Sequence, residues 1–192
     1  MNRRTVLRGL AAAAAALPLG TIPLEAQPET FIADHEKLLK EIAAAVLPES
    51  LGRRGTDDAT DAFLRWIRNY RSGVAMDNGY GVTHPQDTAP LPFARYAAQL
   101  RALDDAARGR GRGMEALSVD ERRVLIDRSL READVQQMPV RPAGHHIVAD
   151  LMTFYYRSPE ATDLCYQAAI HRFECRGLGE STQPPSPAYG RR

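Results

Sequence analysis

Ile147-Val148-Ala149-Asp150-Leu151-Met152-Thr153-Phe154-Tyr155-Tyr156-Arg157-Ser158-Pro159 is the stretch that decides the fold class. Ile147, Val148, Leu151, Met152 and Tyr155 recur at the three- and four-residue spacing of one helix face. This predicts a helix that begins near Gly144. Ser158-Pro159 both ends it and starts the next, with Ser as N-cap and Pro at the first helical position, where its missing N–H costs nothing. The restarted helix is expected to carry Leu164, Ala168 and Ile170 on its face and to end at Gly177 and Gly179.

The same period runs upstream. Leu38, Leu39, Ile42, Ala45 and Val46 form one face of a first helix closed by Pro48. Asp57 or Asp58 is placed to cap a second, with Phe63, Trp66, Ile67 and Tyr70 on one stripe and an end near Ser72-Gly73. A third spans Phe93 to Ala107 with Tyr96, Leu100 and Leu103 inward. Ser118-Val119-Asp120-Glu121 has the spacing of a capping box and starts a fourth through Leu125, Ile126 and Leu130. Between the second and third lies a long connection, Asp77 to Pro92, punctuated by Asn78-Gly79, Pro85, Pro90 and Pro92. No stretch alternates as a strand would. The expectation is all-α: an irregular bundle of about five or six helices with a long middle loop. A loop of that length is uncommon in a compact domain and often has a task. It reads either as ordered surface coil or as a docking arm anchored by Tyr80.

The chain has 192 residues, with 25 basic and 24 acidic side chains. Its opening, Asn2-Arg3-Arg4-Thr5-Val6-Leu7-Arg8, precedes an Ala-rich apolar run from Leu10 to Leu19 and a small residue, Ala26. This is the layout of an export signal. The apolar run is shorter than the roughly 20 residues a bilayer span needs. The order around Arg3 and Arg4 resembles the twin-arginine motif, which implies periplasmic localisation through the machinery that exports folded proteins. The division expected is a signal over 1–26, a single helical domain over 27–180 and a Pro-rich flexible tail over 181–192. Without Arg3, Arg4, Arg8 and Glu25 the remainder carries a charge of −1. So near-neutral a chain offers no electrostatic case for nucleic acid. Gly109-Arg110-Gly111-Arg112-Gly113 reads as a solvated turn.

Catalytic motifs are scarce. His146 and Asp150 are four apart and share a helix face, and with His145 they form the nearest approach to a metal constellation. Two ligands on a face fall short of the three or four that zinc takes, and a His near a helix start with an Asp one turn on is more often a polar pair. Gly-x-Ser-x-Gly and Gly-rich phosphate loops are absent. Cys165 and Cys175 are the only cysteines. On one unbroken helix they would stand about 15 Å apart, against a Cα separation of about 7 Å or less for a disulfide. Either the helix breaks between them, near Phe173-Glu174, or they do not pair. An internal staple, two thiols and a bond to another chain all remain open. Most of the aromatic residues in the C-terminal third are expected in the core. Tyr156 and Tyr189 are expected to stay exposed, as residues suited to an interface.

Ile42-Ala43-Ala44-Ala45-Val46-Leu47-Pro48, then Asp150 to Pro159 with its aromatic pair and Ser-Pro restart, followed by Ala161 to Gly179, resemble the small third subunit of gluconate 2-dehydrogenase-type dehydrogenases. The resemblance implies a chain without cofactor or catalytic residues of its own. It implies two partners: a large FAD-containing subunit of the glucose-methanol-choline type and a cytochrome c subunit carrying haem c. The large subunit would cross the membrane folded around its FAD, and the small subunit would carry the twin-arginine signal for both. The competing readings are a stand-alone periplasmic binding or structural protein, and a metal-dependent enzyme built on His145, His146 and Asp150.

Overall fold

The computed structural model describes residues 28–78, 83–168 and 182–184. Arg3, Arg4, Tyr80, Cys175 and Tyr189 lie outside them. Pro28–Val46 forms α1, Gly52–Asn69 α2, Phe93–Arg108 α3, Val119–Glu132 α4, Ile147–Tyr156 α5 and Pro159–Tyr166 α6. Helices α2, α3, α4 and α5 all pack on α1, and α6 packs on α5. The centre of this irregular helical bundle is therefore α1, whose Leu39, Ile42 and Ala43 are fully buried. Around them stand Phe63 and Ile67 of α2, Tyr96, Leu100 and Leu103 of α3, Leu125 and Ile126 of α4, and Ile147, Val148 and Leu151 of α5. These are the apolar positions that the helical period picks out.

The starts of α4 and α6 follow local chemistry. Ser118 Oγ accepts from Glu121 N at 3.2 Å, and Glu121 Oε2 accepts from Ser118 N at 2.8 Å, completing the capping box. Ser158 Oγ accepts from Ala161 N at 3.1 Å, with Pro159 in the first turn of α6. Arg122 of α4 is buried and ties the capped end to α1. It donates to Glu41 Oε2 at 2.7 Å, to Leu117 O at 3.1 Å and to Glu115 O at 2.9 Å.

Two helix boundaries depart from expectation. Helix α2 begins at Gly52, ahead of Asp57 and Asp58, because a 3-10 turn over Glu49–Leu51 feeds straight into it. Asp57 accepts from Arg53 instead of capping. Helix α6 ends at Tyr166, well before Gly177, because Gln167 turns left-handed at φ 52°. Its buried contact is Ala161, while Leu164 is only half-buried and Tyr166 is 68% exposed rather than in the core.

The middle connection is not plain loop. Gly73–Asn78 (β1) and Thr83–Thr88 (β2) pair antiparallel, from Gly73 opposite Thr88 to Asn78 opposite Thr83. The sequence of β2, Thr-His-Pro-Gln-Asp-Thr, has no apolar alternation to announce a strand. Pro85 is tolerated because each strand of a two-stranded ribbon is an edge.

Leu39→Ala should lower stability by about 2–5 kcal/mol, and Ser118→Ala by about 1 kcal/mol. Urea unfolding followed by helical circular dichroism measures both. Equal losses would contradict α1 as the centre of the core.

Candidate functional site

An aspartate in an apolar helix face must be paired if it is buried. Asp150 has no exposed surface, and all of its partners come from the surrounding fold. Oδ2 accepts from the Tyr96 hydroxyl of α3 at 2.5 Å and from Gly144 N at 2.9 Å. Oδ1 accepts from Ala143 N at 2.8 Å. Burial nonetheless holds the Asp150 carboxyl above its ordinary range, against these three bonds. Burial and the neighbouring carboxylate also push the Tyr96 phenol far upward, so the hydroxyl keeps its proton and donates.

The residues just before α5 are held from α3 as well. Gln99 brackets His146: its amide nitrogen donates to His145 O at 3.0 Å, and its oxygen accepts from Ile147 N at 3.0 Å. Arg95 donates to Gly144 O at 3.1 Å. Gly144 has φ +75°, and a Cβ there would sit 2.9 Å from Pro92 Cδ, so only glycine fits.

His146 is fully buried and caps α5. Its Nδ1 accepts from Val148 N at 3.2 Å, and Nε2 lies 3.0 Å from Ser129 Oγ of α4. A ring nitrogen that accepts from a backbone N–H carries no proton, so in the neutral ring Nε2 is the protonated nitrogen. It donates to Ser129 and cannot take the serine's proton, so this Ser–His contact lacks the tautomer of a nucleophilic pair. Burial holds the His146 pKa down to about 4.

The metal constellation does not assemble. His146 and Asp150 do stand one turn apart, but their polar atoms are used by Val148, Ser129, Tyr96, Ala143 and Gly144. His145 is exposed on the other side, in a shallow cleft of about 370 Å³ with Ala149. Among the described residues no three His, Cys, Asp or Glu side chains gather as metal ligands.

Two larger clefts flank the loop before α5. One, of about 770 Å³, runs between α2 and the α5–α6 junction. Gly55, Ala59 and Ala62 give its α2 wall small side chains, Trp66 and Phe154 supply aromatic surface, and Asp58, Arg65, Arg157 and Glu160 supply charge. Trp66 and Phe154 pack with centroids 5.8 Å apart, and both meet Phe63 beneath. The other cleft, about 510 Å³, lies between Tyr70 and residues 141–144. Pro142 belongs to both.

Tyr156 is 45% exposed at the end of α5, as expected. Cys165 is exposed on α6. The helix that carries it breaks at Gln167, earlier than Phe173-Glu174, so no continuous helix separates it from Cys175. Sequence reading placed Tyr96 in the core without giving its hydroxyl a partner, and it missed Gln99 and Ser129 altogether. The available signal was Asp150 itself, the one charged residue in an otherwise apolar helix face. Among the described residues no helix is long and apolar enough to cross a membrane. Comparison with protein-family models, curated proteins and solved structures found no match.

His146 is neutral in the fold down to about pH 4, while in the unfolded chain it takes a proton near its ordinary 6.5. Its contribution is therefore complete above 6.5 and is lost as pH falls from 6.5 to 4, a loss of about 3 kcal/mol. Asp150 acts in the opposite sense, because its raised pKa makes charging costly as pH rises through 3.8 and beyond. His146→Asn keeps an N-cap acceptor without the titration. Thermal melts of the variant should lose most of the wild-type decline between pH 6.5 and 4. An undiminished decline would assign it to other groups.

Proposed function

We propose that this chain is the non-catalytic small subunit of an exported dehydrogenase complex of the gluconate 2-dehydrogenase type. In this reading it carries the twin-arginine signal, escorts the folded FAD-containing large subunit across the membrane and stays bound to it in the periplasm. A cytochrome c subunit takes the electrons. The sequence resemblance and the paired arginines, Arg3 and Arg4, motivate the reading.

The observation that carries it in the fold is the α2/α5–α6 groove. It combines Trp66 and Phe154 with small residues that allow close approach and with a charged margin, beside the exposed Tyr156. Aromatic anchors in a recess with a polar border are what a protein interface needs. By contrast, the titratable groups at the start of α5 are consumed by internal hydrogen bonds, which suits a structural subunit better than a catalyst. The docked large subunit is expected to cover this groove as part of an interface of more than about 2,000 Å².

Two measurements test the reading. Arg3→Lys with Arg4→Lys should trap dye-linked dehydrogenase activity in the cytoplasm. Ala62→Arg, which fills the groove from a half-buried position, should abolish co-purification of the flavoprotein while the variant stays helical. Unchanged activity outside the cytoplasm, with no co-purification of the two wild-type chains, would leave a stand-alone envelope protein.

A further inference from the structure

The loop between α4 and α5 is attached to the bundle in an unusual way. From Pro139 to His145, side chains of α3, α5 and the α5 C-cap Arg157 grip its backbone. Thr153 donates to Pro139 O at 3.3 Å, and Arg157 donates to Val140 O at 2.5 Å. Asp150 holds Ala143 N and Gly144 N, Arg95 holds Gly144 O, and Gln99 holds His145 O. The loop's own large apolar side chains point away from this grip: Val140 is 81% exposed and Met138 48%. Hydrogen bonds to its backbone therefore fix the loop's position, with little help from burial of its side chains.

Pro142 sits directly before the two residues that Asp150 holds, and it is the common wall of both clefts. On the far side of that wall the Tyr70 ring meets the Trp66 ring edge-on, with centroids 5.2 Å apart. Tyr70 lines one cleft and Trp66 the other. A shift of residues 142–144 must change what both rings face.

We propose that Tyr96, acting through Asp150, is a positioning residue for the aromatic groove: the pair pins residues 143–144, and so sets the Pro142 wall against which Trp66 is presented. Gly144 is the second pin, because its left-handed backbone brings the chain against Pro92 where no side chain fits. The geometry of the lock stands by itself; its consequence for docking rests on the flavoprotein reading.

Trp66 is the only tryptophan in the chain, so its fluorescence reports on the groove without a partner present. The test compares the full chain with Tyr96→Phe, which removes only the hydroxyl, and with Gly144→Ala, which displaces the loop from its other side. A control, Leu117→Ala, loosens the core near Arg122 and leaves the loop's bonds intact. Both loop variants should keep helical circular dichroism, show red-shifted Trp66 emission and be quenched more strongly by acrylamide. The control should show neither change at a similar loss of Tm. Co-expressed with the flavoprotein, both loop variants should co-purify less of it than the control does. Trp66 emission and quenching unchanged in both loop variants, or changed equally in the control, would overturn the lock. Altered Trp66 in the loop variants with undiminished co-purification, in them and in Ala62→Arg, would keep the lock and overturn the docking reading.

Discussion

The start of α5 depends on one carboxylate with no contact with water. Asp150 accepts three hydrogen bonds, from a tyrosine of another helix and from two successive backbone amides. In a low-dielectric interior an unsatisfied charge of this kind costs several kcal/mol, so each donor is held to its place as firmly as the carboxylate is. That requirement fixes the α3–α5 packing, the entry angle of the chain into α5 and the position of the Pro142 wall. Gly144 lies in the same segment, at φ +75° and against Pro92 where a side chain would not fit.

A second polar node does similar work at the other end of α1. Arg122 spreads its donors over Glu41, Leu117 and Glu115, joining α4, α1 and the 3-10 turn between α3 and α4. Several other ion pairs among the described residues are i,i+4 pairs on helix surfaces, such as Arg108 with Asp104 and Arg128 with Glu132. Such pairs contribute a few tenths of a kcal/mol each. The specificity of helix arrangement therefore rests on the buried polar contacts of Asp150, Arg122 and His146 and on the apolar stripes between them. The groove is framed by what remains: α2 residues too small to fill the space, and an α5–α6 corner made by Ser158 and Pro159.

Much of this architecture is legible in the residues. The capping box at Ser118, the Ser-Pro corner and the apolar periods of α1, α3 and α5 are local signals, each read within a turn or two of helix. Where local reading failed, the cause was also physical. Asp57 and Asp58 look like caps, but a 3-10 turn had already started α2. The β1–β2 ribbon has no alternating face, so nothing in Thr-His-Pro-Gln-Asp-Thr marks it as a strand. Gln167 ends α6 in a left-handed conformation that the sequence does not demand, and the cysteine spacing is read differently as a result.

His146 and Asp150 divide the two kinds of knowledge most clearly. By itself the sequence determined that they stand one turn apart at the start of an apolar helix, and that the helices of the described residues pack as an irregular bundle. These follow from a period of 3.6 residues and from capping chemistry, which act over a few residues. Only the tertiary structure decided what the two polar side chains do. Their partners, Tyr96 and Ser129, lie 54 and 17 residues away. Nothing in a linear pattern encodes which distant donor will reach a buried acceptor, because that is settled by how whole helix faces pack. The same holds for the groove, whose walls come from residues 51–66 and 142–160 and meet only when α2 and α5 share the core.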